Sequence, residues 1–325
     1  MKSLITGGAG FVGSHLADHL VAQGEEVIVL DDLSTGAFDN IRHLVGRDGF
    51  THYIGKVENK GLLERATESV DRVYHLAAAV GVQLIVDDPV RTIETNINAT
   101  QSVLECAVTY GKQVLITSTS EVYGKGTRMP FSEGDDVVYG PTIRARWSYA
   151  ISKAVDEFLL LAYHRKKGLP GLIVRLFNTV GPRQTGRYGM VLPRFVQQAV
   201  SGGPITVYGT GNQTRCFAHV SDVVPAFHAL MNCEKAIGRV INIGSDEEVA
   251  INELAERVRN SVGGSAEIIK IPYEEAYGVG FEDMGARKPD LTTAKELIGY
   301  DPTRCLDDII KDVVAFVRGN WNPGL

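Results

Sequence analysis

Residues 3–13 read Ser-Leu-Ile-Thr-Gly-Gly-Ala-Gly-Phe-Val-Gly, a short apolar run that breaks into glycines just before the helical spacing of Phe11–Gln23 begins. A buried strand over Ser3–Thr6, a tight turn and a helix opening at Phe11 follow from that pattern. Gly7, Gly10 and Gly13 let the backbone turn sharply and approach an anion, and a helix N-terminus offers free N–H groups with a partial positive charge. The next apolar run, Glu26–Leu30, ends in Asp31-Asp32, and Asp31 lies 18 residues beyond Gly13. A carboxylate at that distance suits the hydroxyls of a ribose and repels the extra phosphate of NADP. The combination predicts a site for the pyrophosphate and ribose of a dinucleotide, and selects NAD.

The rest of the first half repeats the alternation. Arg72–His75, Gln113–Thr117 and Leu172–Leu176 have the apolar texture of buried strands, while Pro89–Tyr110 and Ser148–Lys167 have helical spacing. Strands alternating with helices imply parallel pairing through right-handed crossovers. The fold class is therefore α/β, a doubly wound parallel sheet of Rossmann type, with a second, smaller α/β substrate lobe. Val240–Ile243 reads as one further strand and Ile251–Val262 as one further helix, although glycine and proline punctuation thickens from Gly181 onward. The expected division gives residues 1–180 plus 217–263 to the NAD-binding domain and residues 181–216 plus 264–325 to the substrate lobe.

Composition removes several classes. A net charge of −6 provides no broad basic face for nucleic acid or an anionic membrane. No apolar run approaches the ~18 residues of a membrane span. The opening MKSLITGGAG turns to glycine too early for a signal peptide. Cys106, Cys216, Cys233 and Cys305 are scattered with no C-x-x-C pair, which fits neither a metal site nor a disulfide framework. A soluble, cytoplasmic protein without a metal is expected.

Tyr149 and Lys153 stand four residues apart on the Ser148–Lys167 helix and share one face. A phenol titrates near ~10, too high for a base at neutral pH, unless a neighbouring ammonium and a positive cofactor favour the phenolate. Ser118-Thr119-Ser120-Glu121 follows a strand, at the carboxyl edge where ligands of doubly wound sheets bind. Together these residues predict proton abstraction beside a nicotinamide.

GGAGFVG, HLAA (His75–Ala78), TSEVYG (Thr119–Gly124), YAISK (Tyr149–Lys153) and RLFNTVGPR (Arg175–Arg183) together resemble the extended short-chain dehydrogenase/reductase family. That family holds NAD-dependent nucleotide-sugar epimerases, dehydratases and decarboxylases, and the resemblance runs from Ser3 to about Phe316. It implies that Tyr149 takes the proton of the sugar's 4-hydroxyl, that Lys153 tunes Tyr149 and holds the nicotinamide ribose, and that Thr119 hydrogen-bonds that hydroxyl. It places the cofactor against Gly7, Gly10, Phe11, Val12, Gly13, Asp31, Asp32, Val57, Leu76, Ala77 and Ala78. Hydride leaves for NAD and returns later, so the cofactor is not consumed.

Ser120-Glu121 looks like the UDP-glucuronate decarboxylases (UDP-xylose synthases) within that family. RWSYAISK (Arg146–Lys153) and YGVGFEDMGARKPD (Tyr277–Asp290) are similar to the decarboxylase domain of the bacterial aminoarabinose-pathway enzyme, where Arg287 falls on an arginine needed for loss of CO2. With carbon 4 oxidised, the uronate carboxylate belongs to a β-keto acid. Its decarboxylation suits an acid at Glu121, which supplies a proton to carbon 5, and an arginine that steadies the developing enolate. The resemblance also implies substrate contacts from Asn178, Arg183, Val191, Arg194, Thr206, Tyr208, Arg215 and Arg287, and a homodimer that pairs the Pro89–Tyr110 and Ser148–Lys167 helices with their copies. Two departures stand out: Ile85 replaces a tyrosine of both decarboxylase groups, and Lys56 replaces an aspartate that contacts adenine. A UDP-hexose or UDP-glucuronate 4-epimerase is the alternative; a 4,6-dehydratase or a non-catalytic NAD-binding regulator fits the motifs less well.

Overall fold

A computed structural model describes residues 1–81, 88–186, 189–277 and 282–319. Seven strands form its main sheet: β1 (Lys2–Thr6), β2 (Glu26–Asp31), β3 (Phe50–Ile54), β4 (Arg72–His75), β5 (Gln113–Thr119), β6 (Gly171–Leu176) and β7 (Val240–Ile243). They lie in the order β7-β6-β5-β4-β1-β2-β3, every neighbour parallel. Strands covered on both faces need apolar residues at every position rather than at alternate ones. Val27–Leu30 and Leu172–Val174 satisfy this and are wholly buried. The edge strand β3 is half polar and partly exposed, which is why its sequence FTHYI carries no comparable signal.

Helices cover both faces. On one side α1 (Phe11–Ala22) buries Leu16, Ala17 and Leu20 beside Val223, Phe227 and Leu230 of α6 (Val220–Met231). On the other, α2 (Lys60–Glu68), α3 (Pro89–Tyr110) and α4 (Ser148–Lys167) bring in Leu63, Val103, Leu104 and Leu160. Local chemistry sets the ends of α3. The Asp88 carboxylate accepts from the Arg91 N–H, Pro89 occupies the first turn where its missing N–H costs nothing, and Gly111 terminates the helix at φ 64°. The strand order reverses between β4 and β2 around β1, and the crevice that this opens beyond the strands' carboxyl ends is the ligand position of such folds.

A second core lies beside the sheet. It joins α5 (Val191–Val200), α7 (Ile251–Val262) and α9 (Leu306–Gly319) through Leu192, Phe195, Leu254, Val258, Ile310 and Val313. A parallel pair, Ile205–Tyr208 with Ile268–Ile271, and an antiparallel pair, Thr214–Cys216 with Glu248–Ala250, complete the lobe. The expected division differs here in two places. Helix α7 was assigned with the dinucleotide domain, yet Ile251, Leu254, Ala255 and Val258 pack into the lobe's core. Helix α8 (Thr292–Ile298) was assigned to the lobe, yet Ala294 and the following Tyr300 pack beneath the main sheet. An amphipathic stripe shows that a helix is covered on one face and leaves open which layer covers it.

Candidate active site

The glycine turn forms one wall of a cleft of about 600 Å³. Gly7 has φ +72°, and a Cβ there would stand 2.7 Å from the Ala77 nitrogen of the loop after β4. At Gly13 a Cβ would meet the Gly7 carbonyl oxygen at 2.1 Å, so the turn and α1 close up only on glycine. No side chain caps α1, and its first residues Phe11, Val12 and Gly13 line the cleft together with Gly10. Asp31, Asp32, Val57, Leu76, Ala77, Ala78 and Lys56 line it as well. Asp31 uses both oxygens on the turn itself, accepting from the Ala9 N–H at 2.9 Å and the Leu33 N–H at 2.8 Å. Burial pushes its carboxyl above the usual range. Asp32 is the more exposed carboxylate of the two. A cleft that holds both a helix N-terminus with no side-chain cap and two carboxylates fits a dinucleotide with free ribose hydroxyls.

A second cavity of about 350 Å³ opens from the first, and Phe11, Val12, Leu76 and Ala78 belong to both walls. The end of strand β5 delivers Thr119 to it and the 3-10 turn that follows delivers Ser120 and Glu121, α4 delivers Tyr149 and Lys153, and the lobe delivers Val191, Arg194, Tyr208 and Arg215. Asn178 and Arg287 complete that wall. The Thr119 hydroxyl oxygen accepts from the Glu121 N–H at 3.2 Å, which leaves its own proton available to a ligand. Beneath it, Ser118 donates to Glu157 at 2.5 Å while Arg175 grips the same carboxylate at 2.9 and 2.7 Å, bracing the end of β5 against α4.

Two of the expected substrate residues sit elsewhere. Arg183 lines the first cleft and pairs with Asp18 of α1 at 2.7 Å. Thr206 accepts from Arg194 at 2.9 Å and from Gln198 at 2.8 Å, so it steadies Arg194 from behind. Arg194 in turn lies 3.8 Å above the Tyr208 ring. Ile85 and residues 278–281 fall outside the described residues.

Tyr149 is buried, and burial pushes its phenol well above the usual value, with Glu121 and Asp156 adding to the rise. Lys153 is the group expected to oppose this. Its ammonium is instead paired with Asp156 at 2.8 Å, so a carboxylate offsets part of its field. Asp156 stands three residues beyond Lys153 on the same helix, a spacing at which side chains meet and which could have announced the partner.

Beyond Tyr149 lies a buried cluster of three guanidinium groups and two carboxylates. Glu121 is paired with Arg146 and lies 3.4 Å from Arg287; Asp283 lies 2.8 Å from Arg215 and 3.8 Å from Arg287. Three positive charges against two negative ones leave the cluster with one net positive charge. The Arg287 Nε–H has no hydrogen-bond acceptor among the described residues. Burial and the nearby Arg215 push the Arg287 guanidinium down to about 10, still protonated at neutral pH. Burial alone would raise Glu121, but Arg146 and Arg287 outweigh it and hold the carboxyl below the usual range. That direction favours the carboxylate form of Glu121, whereas the sequence expects an acid there. Arg146 and Asp283 were absent from the sequence-derived site. Arg146 adjoins the helix that carries Tyr149, and Asp283 lies one helical turn's spacing before Arg287, which are the signals that could have found them.

The pattern of the NAD dependent epimerase/dehydratase family matches residues 3–244. The chain belongs to that family. Among curated relatives, the UDP-N-acetyl-alpha-D-glucosaminuronate decarboxylase of Bacillus cytotoxicus is 42% identical over 98% of this chain and 98% of its own length. The UDP-glucuronic acid decarboxylase 2 of Arabidopsis thaliana is 40% identical over 100% of this chain and 71% of its own. Among solved structures, the UDP-glucuronic acid 4-epimerase of Bacillus cereus, in complex with UDP-glucuronic acid and NAD, superposes with a TM-score of 0.89 at 29% identity. That likeness covers 99% of this chain and 100% of the epimerase. As a member of the epimerase/dehydratase family, the chain keeps both the dinucleotide turn and the tyrosine–lysine pair on α4.

Proposed function

We propose that the protein is an NAD-dependent UDP-glucuronate decarboxylase. The observation that carries this reading is the buried arginine cluster with its single excess positive charge, set beside Tyr149 in the second cavity. Arg287 lines that cavity with its Nε–H unused, and a uronate carboxylate supplies a charged acceptor that the sugar ring of a neutral hexose lacks. The decarboxylase relatives support the same choice.

The first cleft, lined by Gly7, Gly10, Gly13 and Asp31, would hold NAD, which would supply the acceptor and later the donor of the carbon-4 hydride. The residues of the chain do the rest. Tyr149 accepts the proton of the 4-hydroxyl, and Thr119 orients that hydroxyl. Once carbon 4 is a ketone, the bond between carbons 5 and 6 breaks, and its electron pair moves onto the carbon-4 oxygen beside the Tyr149 phenol as CO2 leaves. Arg287 holds the departing carboxylate in line, with its position set by Glu121 and Asp283. Arg194, Tyr208 and Arg215 face the nucleotide end, where arginine forks suit a diphosphate. Carbon 5 then takes a proton from water, which restores the carbon-4 ketone, and return of the hydride to carbon 4 with the Tyr149 proton to its oxygen would yield the reduced UDP-pentose.

We also assign a homodimer. Phe158 of α4 is 68% exposed, and Val90 and Ile93 of the neighbouring α3 are exposed as well, apolar side chains that a monomer leaves in water. The four unpaired thiols suit a reducing cytoplasm, and no helix among the described residues is long and apolar enough to cross a membrane.

The test is incubation with UDP-glucuronate, and separately with UDP-N-acetylglucosaminuronate, followed by assay of CO2 and of the sugar product. CO2 release, abolished by Tyr149→Phe to the ~10²–10⁴-fold extent of a general base, is expected. Conversion of UDP-glucuronate to UDP-galacturonate with all carbon retained would replace this reading with the 4-epimerase.

A further inference from the structure

We propose that Asp156 is a positioning residue for the reaction, the fixed counter-ion that holds the Lys153 ammonium in place and sets how readily the Tyr149–Lys153 couple gives up a proton. The proposal rests on the reading of Tyr149 as the base of the oxidation step.

Asp156 lies three residues beyond Lys153 on α4, so one helical turn brings the two side chains together. Its Oδ2 is 2.8 Å from the Lys153 Nζ, and the side chains are 0% and 3% exposed. Water therefore competes for neither group. The other charged groups around the couple are committed elsewhere. Glu157 is gripped by Arg175 and Ser118, and Glu121 by Arg146 and Arg287. His75 of β4 spans Thr6 at 2.7 Å and Thr100 at 3.1 Å, and burial with the nearby Lys153 holds it down to about 3, so it stays neutral. Burial pushes the Asp156 carboxyl above the usual range, while Lys153 and the Thr100 side chain of α3 oppose the rise. Among the described residues, Asp156 is left as the carboxylate that answers the Lys153 charge.

Two consequences follow from simple electrostatics. Asp156 supplies the negative charge that faces the buried Lys153 ammonium. The same negative charge opposes formation of the Tyr149 phenolate. Removing it must make proton loss from the couple easier, whichever of the two groups releases the proton, because the pair titrates as one unit. Part of the deprotonated couple will then hold its remaining proton on Tyr149 rather than Lys153, which is the unreactive arrangement. Loss of Asp156 should therefore shift the acid limb of the rate profile to lower pH while lowering its plateau. A residue needed only for folding would do neither.

The experiment compares wild type, Asp156→Asn and Asp156→Ser as NAD-loaded full chains. Turnover of UDP-glucuronate is measured against pH. Separately, tyrosinate absorbance is titrated in each protein, with the corresponding Tyr149→Phe protein subtracted as blank. The expected result in at least one variant is a downward shift of about one pH unit or more in both titrations, the scale of a charge within ~4–6 Å. The plateau rate should be lower and the KM for the sugar nucleotide little changed. An unmoved or upward-moving titration in folded variants would overturn the proposal. So would failure of both variants to fold, which would assign Asp156 to stability alone. The absorbance titration needs no sugar substrate. A wild type that releases no CO2 yet shows the shift would defeat the decarboxylase reading and leave the role of Asp156 standing.

Discussion

Replacing Arg287 by methionine isolates the charge on which the decarboxylase reading depends. In the wild type Arg287 lies 3.4 Å from Glu121 and 3.8 Å from Asp283, but each carboxylate also has a partner of its own, Arg146 and Arg215 respectively. Arg287→Met therefore strips no carboxylate bare, and its stability cost should fall below the about 3–5 kcal/mol of a broken buried pair. Its effect on ligand should be larger. The net charge of the cluster falls from one positive to zero, so an incoming carboxylate meets no excess charge. A unit pair ~4 Å apart in a partly screened site is worth about 4 kcal/mol, roughly 10³-fold. Because Arg146 and Arg215 remain, a loss of about 10²–10³-fold in kcat/KM for CO2 release is expected. The deciding assay is binding of UDP-glucuronate and of UDP-glucose to NAD-loaded wild type and variant. The two nucleotides share the uridine diphosphate and differ in the carboxylate. Weakening confined to UDP-glucuronate supports the assignment. Equal weakening of both ligands would mean that Arg287 binds phosphate, and the argument from cluster charge would fail.

Three further outcomes follow from the site. Asp31→Ala should improve NADP binding relative to NAD, and should also lower the thermal midpoint, since the Ala9 and Leu33 N–H groups lose their acceptor; equal changes in both cofactor affinities would remove Asp31 from the ribose site. Glu121→Gln should destabilise by about 3–5 kcal/mol at pH 7, the cost of leaving buried charge unpaired. Because the folded Glu121 carboxyl titrates below its unfolded value of 4.5, its contribution is complete above that pH and fades as pH falls through the lower folded value. Urea midpoints of wild type and variant should therefore converge toward acid, and a gap that widens instead would contradict the assigned ionisation. Finally, Phe158→Glu changes a side chain that is 68% exposed in one chain, so it should leave the fold intact and shift sedimentation from dimer to monomer.

Short-range physics made much of this protein legible from its sequence. A strand buried on both faces must be apolar throughout, so β1, β2, β4, β5, β6 and β7 stand out, and the helices Pro89–Tyr110 and Ser148–Lys167 have the bounds that their caps and spacing imply. The dinucleotide turn is equally local, because only glycine tolerates the 2.1 Å approach at Gly13. Tyr149 and Lys153 share a helix face through a four-residue spacing. What the tertiary structure alone decided is charge. Glu121 and Arg287 are 166 residues apart in the chain and meet only after the second lobe folds against the end of β5. Their protonation depends on how much water is excluded and on which neighbours are charged, and neither is encoded at a fixed spacing. The same reason separates the acid expected at Glu121 from the carboxylate form that its neighbours favour. The layer that α7 joins was likewise settled by distant apolar residues, since a helix stripe records only that something covers it.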